Sequence, residues 1–187
     1  EALGIPVVSG NVSLYNETDG RAIHPTPVVG CVGLVPDVRR LPTTWDEGDA
    51  ILLVGEPELS FDGSEYQALY AEPAGRPAPL DLAAEAALVR ALHDAAPRCS
   101  LVHDAAEGGL AVCLAEAAIA SGFGAVLDLP DDPLALFGEG GGQAVVACPP
   151  DAISDFPVPA QVIGSVGGDT LLGVLIEELR PAYEVSI

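Results

Sequence analysis

Hydrophobic and polar positions fall into short apolar blocks separated by Gly- and Pro-rich punctuation. The block "PVVGCVGLV" (27–35) predicts a buried strand, with Pro25 and Pro27 marking its entry. The polar run "PDVRRLPTTWDEGD" (36–49) holds two prolines and predicts a connector at a domain boundary. Beyond it, "AILLVG" (50–55) is a wholly apolar strand stopped by Gly55 and Pro57, and "GSEYQALYA" (63–71) suits a short helix. The clearest helix is "PLDLAAEAALVRALHDAAP" (79–97), where Asp81 can cap the start and Pro97 ends the run. The strand "SLVHD" (100–104) leads directly into a second helix over 105–122. That helix has Leu110, Leu114, Ala117 and Ala118 on one face and Gly122 as its stop.

Four further strands are expected at 124–129, 143–149, 160–166 and 171–177, with a short helix over 150–156. Strands and helices alternate, several strands are apolar on both faces, and connections are short. The pattern predicts an α+β (mixed α/β) fold, a mixed sheet covered by helices, with strands in mixed directions.

Composition narrows the function. At 187 residues and 49% hydrophobic, the chain can bury a core of one ordinary domain, or of one domain plus part of another. A net charge of -21 argues against nucleic acid or an anionic membrane as the main partner. All seven basic residues are Arg, so no lysine is present to grip a nucleotide phosphate or form a Schiff base. Cys31, Cys99, Cys113 and Cys148 are far apart in apolar runs, a pattern of buried free thiols in a reducing cytosol rather than of zinc ligands. No apolar run approaches the roughly 20 residues that span a bilayer. These features point to a cytoplasmic chain, and the start without Met suggests part of a longer polypeptide.

Candidate chemistry lies in four places. "VHDAAEGGLAV" (102–112) joins a strand to a helix through a Gly pair, which suits either an anion at the helix start or a tight turn with His103 and Asp104 in hydrogen bonds. Glu107 at the helix start favours the turn. "FGEGGGQAVV" (137–146) is a glycine loop that could cradle phosphate or simply turn; it lacks the Lys and Ser/Thr of a P-loop. "DLPDD" (128–132) offers carboxylates to a cation or to solvent, and His93 suits an exposed helix position. "VSGNVSLYNET" (8–18) is richer in polar groups than a turn requires. Gly10 permits close approach to a nucleotide, and Asn11 offers a neutral oxygen to Mg²⁺. Ser13 falls on the same side as Asn11 if the segment is extended.

"PVVSGNVSLYNET" followed by "IHPTPVVGCVGLVPDV" resembles the large subunit of phosphoribosylformylglycinamidine synthase. The likeness continues through "GDAILLVG", "GSEY", "LVHDAAEGGLAVCLAEAA" and "VIGSVGGDTLL", in the family's order and over essentially the whole chain. It implies ATP-dependent amidation of formylglycinamide ribonucleotide to formylglycinamidine ribonucleotide with glutamine-derived ammonia, in purine synthesis. In that chemistry ATP activates the amide oxygen as an iminophosphate, which ammonia displaces. The implied organisation is the tail of a second nucleotide-binding domain (1–45), then a domain like the C-terminal domain of AIR synthase (46–187), a three-layer α-β-α. Carried over by position, Gly10 touches ATP, Asn11 ligates magnesium and Ser13 contacts the ribonucleotide substrate. The implied partners are a glutaminase subunit and a small bridging subunit.

Family members keep the catalytic histidine, the ATP-binding lysine and most magnesium carboxylates in the preceding polypeptide. The resemblance therefore implies that these 187 residues alone are inactive and that His103 is not the base. It also implies that strand 27–35 pairs outside these residues, leaving its edges and apolar face open, so that either residues 1–20 are mobile or that surface is buried against another copy. Where relatives commonly read "FSESPGR" this chain has "FGEGGGQ", and "LSFD" precedes "GSEY" where relatives keep a small Gly-rich loop; the first change weakens any anion-binding role for that loop. Two other readings are a non-catalytic scaffold that docks the two smaller subunits, and an aminoimidazole ribonucleotide synthase relative; "SGNVSLYNE" argues against the latter.

Overall fold

The computed structural model describes residues 2–72, 74–153 and 156–185. The chain forms two units, Glu1–Arg39 and Arg40–Ile187. In the first, β1 (Glu17–Thr18) and β2 (Arg21–Ala22) pair as an antiparallel hairpin. Asp19 and Gly20 form its two-residue turn with φ of 51° and 75°, the backbone twist that closes tight hairpins. The Ile23 amide then donates to the Asn16 carbonyl at 3.1 Å.

Residues 27–35 do not form the buried strand that their apolar pattern predicts. Val28, Val29, Val32 and Leu34 are exposed, Val32 at 98%. Apolar patterning reports which surfaces favour burial, but a strand also needs a neighbour for its N–H and C=O groups. Among the described residues this segment has none.

The second unit runs β3 (Ala50–Val54), α1 (Glu65–Tyr70), α2 (Leu82–Ala95), β4 (Leu101–Asp104), α3 (Gly109–Ser121), β5 (Ala125–Leu127), α4 (Pro133–Phe137), β6 (Ala144–Cys148) and β7 (Ala160–Val166). A hairpin of β8 (Thr170–Leu171) and β9 (Val174–Leu175) and then α5 (Ile176–Val185) close it. The main sheet has the order β4-β6-β3-β7-β5. The α+β class stands, but the strand directions are not mixed: every pairing in the sheet is antiparallel. Central β3 has antiparallel neighbours on both sides, so β6 and β7 share a direction without touching.

Alternation along the strands makes the three layers. Ile51, Val145, Ala147 and Ile163 face one core with Leu110, Leu114, Ala117 and Ala118 of α3. Leu52, Val54, Val146 and Cys148 face the other with Leu88 and Leu92 of α2. Every residue of β6 is buried, which explains its unbroken apolar sequence. Trp45, the only tryptophan, is 1% exposed and donates its Nε1–H to the Phe123 carbonyl at 3.0 Å.

Helix starts follow their caps. The Asp81 carboxylate accepts the Ala83 and Ala84 amides, as expected, and Ser64 accepts the Gln67 amide to begin α1. Gly122 ends α3 with φ 81°. Three details differ from expectation. The run 171–177 is a hairpin followed by a helix rather than one strand: Leu172 and Gly173 turn at φ 49° and 83°, and Glu177 and Glu178 sit in the first turn of α5. The helix expected over 150–156 is reduced to a 3-10 turn, Pro150–Ala152, and residues 154 and 155 lie outside the described residues. Helix α4 has no forecast; Asp132 of the acidic "DLPDD" run caps it by accepting the Leu134 amide at 3.2 Å, with Pro133 in its first turn.

The connector before β3 lies along the free side of β4. The Val102 amide donates to the Pro42 carbonyl at 3.0 Å, the Thr44 amide donates to the Ser100 carbonyl at 3.3 Å, and Thr43 bridges Leu101. Asp49, 4% exposed, accepts the Asp46 amide and the Ser100 hydroxyl at the foot of β3.

Candidate functional site

In the first unit, residues 8–16 carry no regular secondary structure and are exposed throughout. Gly10, Asn11 and Ser13 all lie in this stretch. A Cβ built on Gly10 meets nothing within 4 Å, so the backbone there is open to a flat or charged ligand. Asn16 and Glu17, at the end of the same motif, serve the β1–β2 hairpin through the Asn16 carbonyl and the Glu17 backbone.

In the second unit, the β4–α3 turn follows its glycines. Gly108 and Gly109 have φ of 79° and 71°, and a Cβ on Gly109 would lie 2.7 Å from the Gly138 carbonyl oxygen. Only glycine allows the turn to pack so closely against the 137–143 loop. That loop supplies its own anion. Glu139 Oε1 accepts the Gly108 amide at 2.9 Å and the Glu65 amide at 2.8 Å, so one carboxylate caps the approaches to both α3 and α1. The place where a phosphate would sit is thus taken by a side chain, and Asp104 and Glu107 add further negative charge beside it. Sequence reasoning missed Glu139 because its partners are 31 and 74 residues away; the signal available was a lone Glu among four glycines.

His103 is not arranged as a base toward this turn. Its Nδ1 is 2.9 Å from the Asp104 carbonyl and its Nε2 is 3.3 Å from Glu116 on α3, so both ring nitrogens are engaged. His93 is exposed beside Asp94, as expected. Cys31, expected buried, is exposed; the other three thiols are buried or half-buried, and all four are free. Burial pushes the Cys113 thiol up to about 12 and that of Cys99 up to about 11, so both stay protonated and unreactive. Among the described residues, no three His, Cys, Asp or Glu side chains are grouped to hold a metal ion. No helix among the described residues is long and apolar enough to cross a membrane.

An antiparallel sheet between helices, entered by a glycine turn that packs on a second glycine loop, defines an α+β domain of three layers. Residues 46–177 match the family model for AIR synthase related protein, C-terminal domain, and the chain belongs to that family. It is 41% identical over 209 residues to phosphoribosylformylglycinamidine synthase subunit PurL of Thermobifida fusca (strain YX), covering 100% of this chain and 27% of that protein. The corresponding subunit of Moorella thermoacetica is 43% identical over 211 residues, covering 100% and 29%. The chain thus spans under a third of the length of these relatives. Among solved structures, T. maritima PurL complexed with FGAR shares the fold with a TM-score of 0.57 at 16% identity, over 73% of this chain and 28% of that one. T. maritima PurL complexed with AMPPCP has a TM-score of 0.51 at 15% identity, over 76% and 27%. PurLQS from Thermotoga maritima also scores 0.51 at 16% identity, over 73% and 27%.

Proposed function

We propose that the chain is part of a phosphoribosylformylglycinamidine synthase, the ligase that uses ATP and glutamine-derived ammonia to amidate formylglycinamide ribonucleotide in purine synthesis. The observation that carries this reading is the 41% identity to PurL subunits over the entire chain, both units included. Residues 1–45 are the end of a nucleotide-binding domain and 46–187 the AIR-synthase-like domain that follows it.

In this reading Gly10 brings open backbone to ATP, Asn11 gives a neutral oxygen to magnesium, and Ser13 donates to the ribonucleotide. The exposure of all three and the empty space around Gly10 fit such contacts. Magnesium, when bound, would neutralise phosphate charge; Asn11 supplies one uncharged oxygen, which suits an ion whose charge is balanced by phosphates. The remaining ligands, the lysine and the catalytic histidine come from outside these residues. The isolated chain is accordingly inactive, because phosphoryl transfer needs that electrostatic clamp. The partners are a glutaminase subunit and a small bridging subunit, in keeping with a relative solved as PurLQS, and the setting is cytoplasmic.

The test is complementation of a purine-requiring strain that lacks this activity. The reading frame carrying these residues should restore growth without purines, and Asn11→Ala or Ser13→Ala in the same frame should abolish it. Undiminished growth of both variants would overturn the site assignment, and failure of the parent frame would overturn the activity. Retention of the smaller subunits by a chain that never complements would favour a scaffold instead.

A further inference from the structure

His103 lies near the end of β4 and Glu116 stands about two turns into α3, and the two side chains meet across the turn that joins these elements. The Nε2 of His103 is 3.3 Å from Glu116 Oε2. Its Nδ1 is 2.9 Å from the Asp104 carbonyl and 3.7 Å from Asp104 Oδ1. A backbone carbonyl and an ionised carboxylate only accept hydrogen bonds, whereas a neutral imidazole carries a single N–H. That N–H belongs at Nδ1, where the carbonyl is closest. Nε2 then meets Glu116 favourably only when it holds a second proton, so the contact belongs to the imidazolium. Carboxylic acids hold their proton only near about pH 4 and below, so at higher pH the second proton must sit on the ring.

Charged groups face the ring from three elements: Asp104 on β4, Glu116 on α3, and Arg180 on α5, which lines the same cavity of about 400 Å³ as His103. Arg180 directs its Nη2 to the Ile119 carbonyl at 2.7 Å, in the last turn of α3. Tyr183 of α5 adds a phenol to the cavity and Thr43 of the connector a hydroxyl. On α3 the Cys113 thiol approaches the His103 carbonyl at 4.0 Å, and burial keeps it protonated. The His103 and Glu116 side chains are 30% and 31% exposed, so solvent protons reach both. We propose that this pair is a pH-sensitive clasp on the β4–α3 turn. It closes when the ring carries two protons and opens when Nε2 loses one, because a lone pair then faces the carboxylate. The clasp therefore stabilises on the acidic side of the imidazole range and is lost as pH rises through it. Closed, it braces the turn whose Gly108 amide Glu139 accepts.

A double-mutant cycle of His103→Asn and Glu116→Ala tests the clasp, with urea unfolding read by Trp45 fluorescence at about pH 5.5 and 8.5, on either side of the imidazole range. His103→Asn keeps an N–H donor where Nδ1 stands and removes Nε2. The cycle cancels the pH response of groups outside the pair. The coupling should be about two- to fivefold in the unfolding equilibrium constant at the lower pH, as for partly exposed ion pairs, and close to onefold at the higher. Ring-nitrogen NMR of the parent chain reads the same event directly. Both nitrogens of His103 should be protonated at the lower pH, and the remaining proton should sit on Nδ1 at the higher. Coupling that is equal at the two pH values, coupling absent at the lower one, or a neutral ring protonated at Nε2 would each overturn the proposal. The ring spectrum needs no variant, so it decides the matter even if a substitution unfolds the chain.

Discussion

At the scale of single residues, the structure depends on carboxylates that receive backbone N–H groups. Glu139 holds two such groups from segments distant in sequence, at 2.8 and 2.9 Å. Replacing it by Ala leaves both amides without a charged acceptor, and hydrogen bonds to charged groups contribute about 1–3 kcal/mol. Glu139→Ala should therefore lower the unfolding free energy read from urea titration of Trp45 fluorescence by an amount in that range, and Glu139→Gln should recover part of it. An unchanged midpoint for the alanine variant would show that solvent replaces the carboxylate freely. Asp81 acts locally and differs in its pH response. The Ala84 and Ala83 amides hold its carboxyl below the usual value of 3.8. A lowered folded-state pKa means that the cap stabilises above the unfolded-state pKa and is lost as pH falls through the folded one. The stability gap between the parent chain and Asp81→Asn should be constant near neutrality and close in the acid range below about pH 4. A gap that persists unchanged at pH 2 would contradict this.

At the scale of elements, α3 is the keystone of one core, and Leu114 at its centre is 0% exposed. Leu114→Ala removes buried methyl groups and leaves a cavity, so a loss of about 3 kcal/mol is expected on chemical unfolding. A loss below about 1 kcal/mol would mean that the core relaxes around the gap. Elements such as α2, α3, β3 and β6 were legible in the sequence because composition, period and end signals agree there: Asp81 and Pro97 bracket α2, and Gly122 stops α3. The hairpin at 170–175 was not, because continuous apolar character cannot distinguish a strand from a turn flanked by two shorter ones. Helix α4 was hidden by the acidic run that in fact caps it. The polar motif around Gly10, Asn11 and Ser13 was visible from its residue types, whereas the His103–Glu116 contact depends on how α3 folds back on β4, and that information lies in the tertiary fold.

For the whole molecule, 28 acidic residues against seven Arg leave a net charge of -21. Ion pairs such as Arg39–Asp37 at 2.9 Å can neutralise only a fraction of that charge. Mutual repulsion favours expanded states, and salt screens it. Raising sodium chloride from about 0.01 to 0.1 M shortens the Debye length from about 30 to 10 Å, so the thermal midpoint should rise by several degrees over that interval. A flat or falling midpoint would show that the carboxylates are already balanced locally.

The connector on the outer side of β4 has a bearing on how the protein behaves when concentrated. A sheet can recruit a foreign chain only through an uninterrupted row of free amides and carbonyls along its border. Here one border is sealed by residues 42–44, and the outermost of its partners to Val102 is Pro42, which has no N–H to offer a newcomer. The opposite border, β5, is three residues long. Strand addition to the five-stranded sheet thus finds a capped edge on one side and too short a foothold on the other, which leaves the exposed apolar run 27–35 as the place where association would begin.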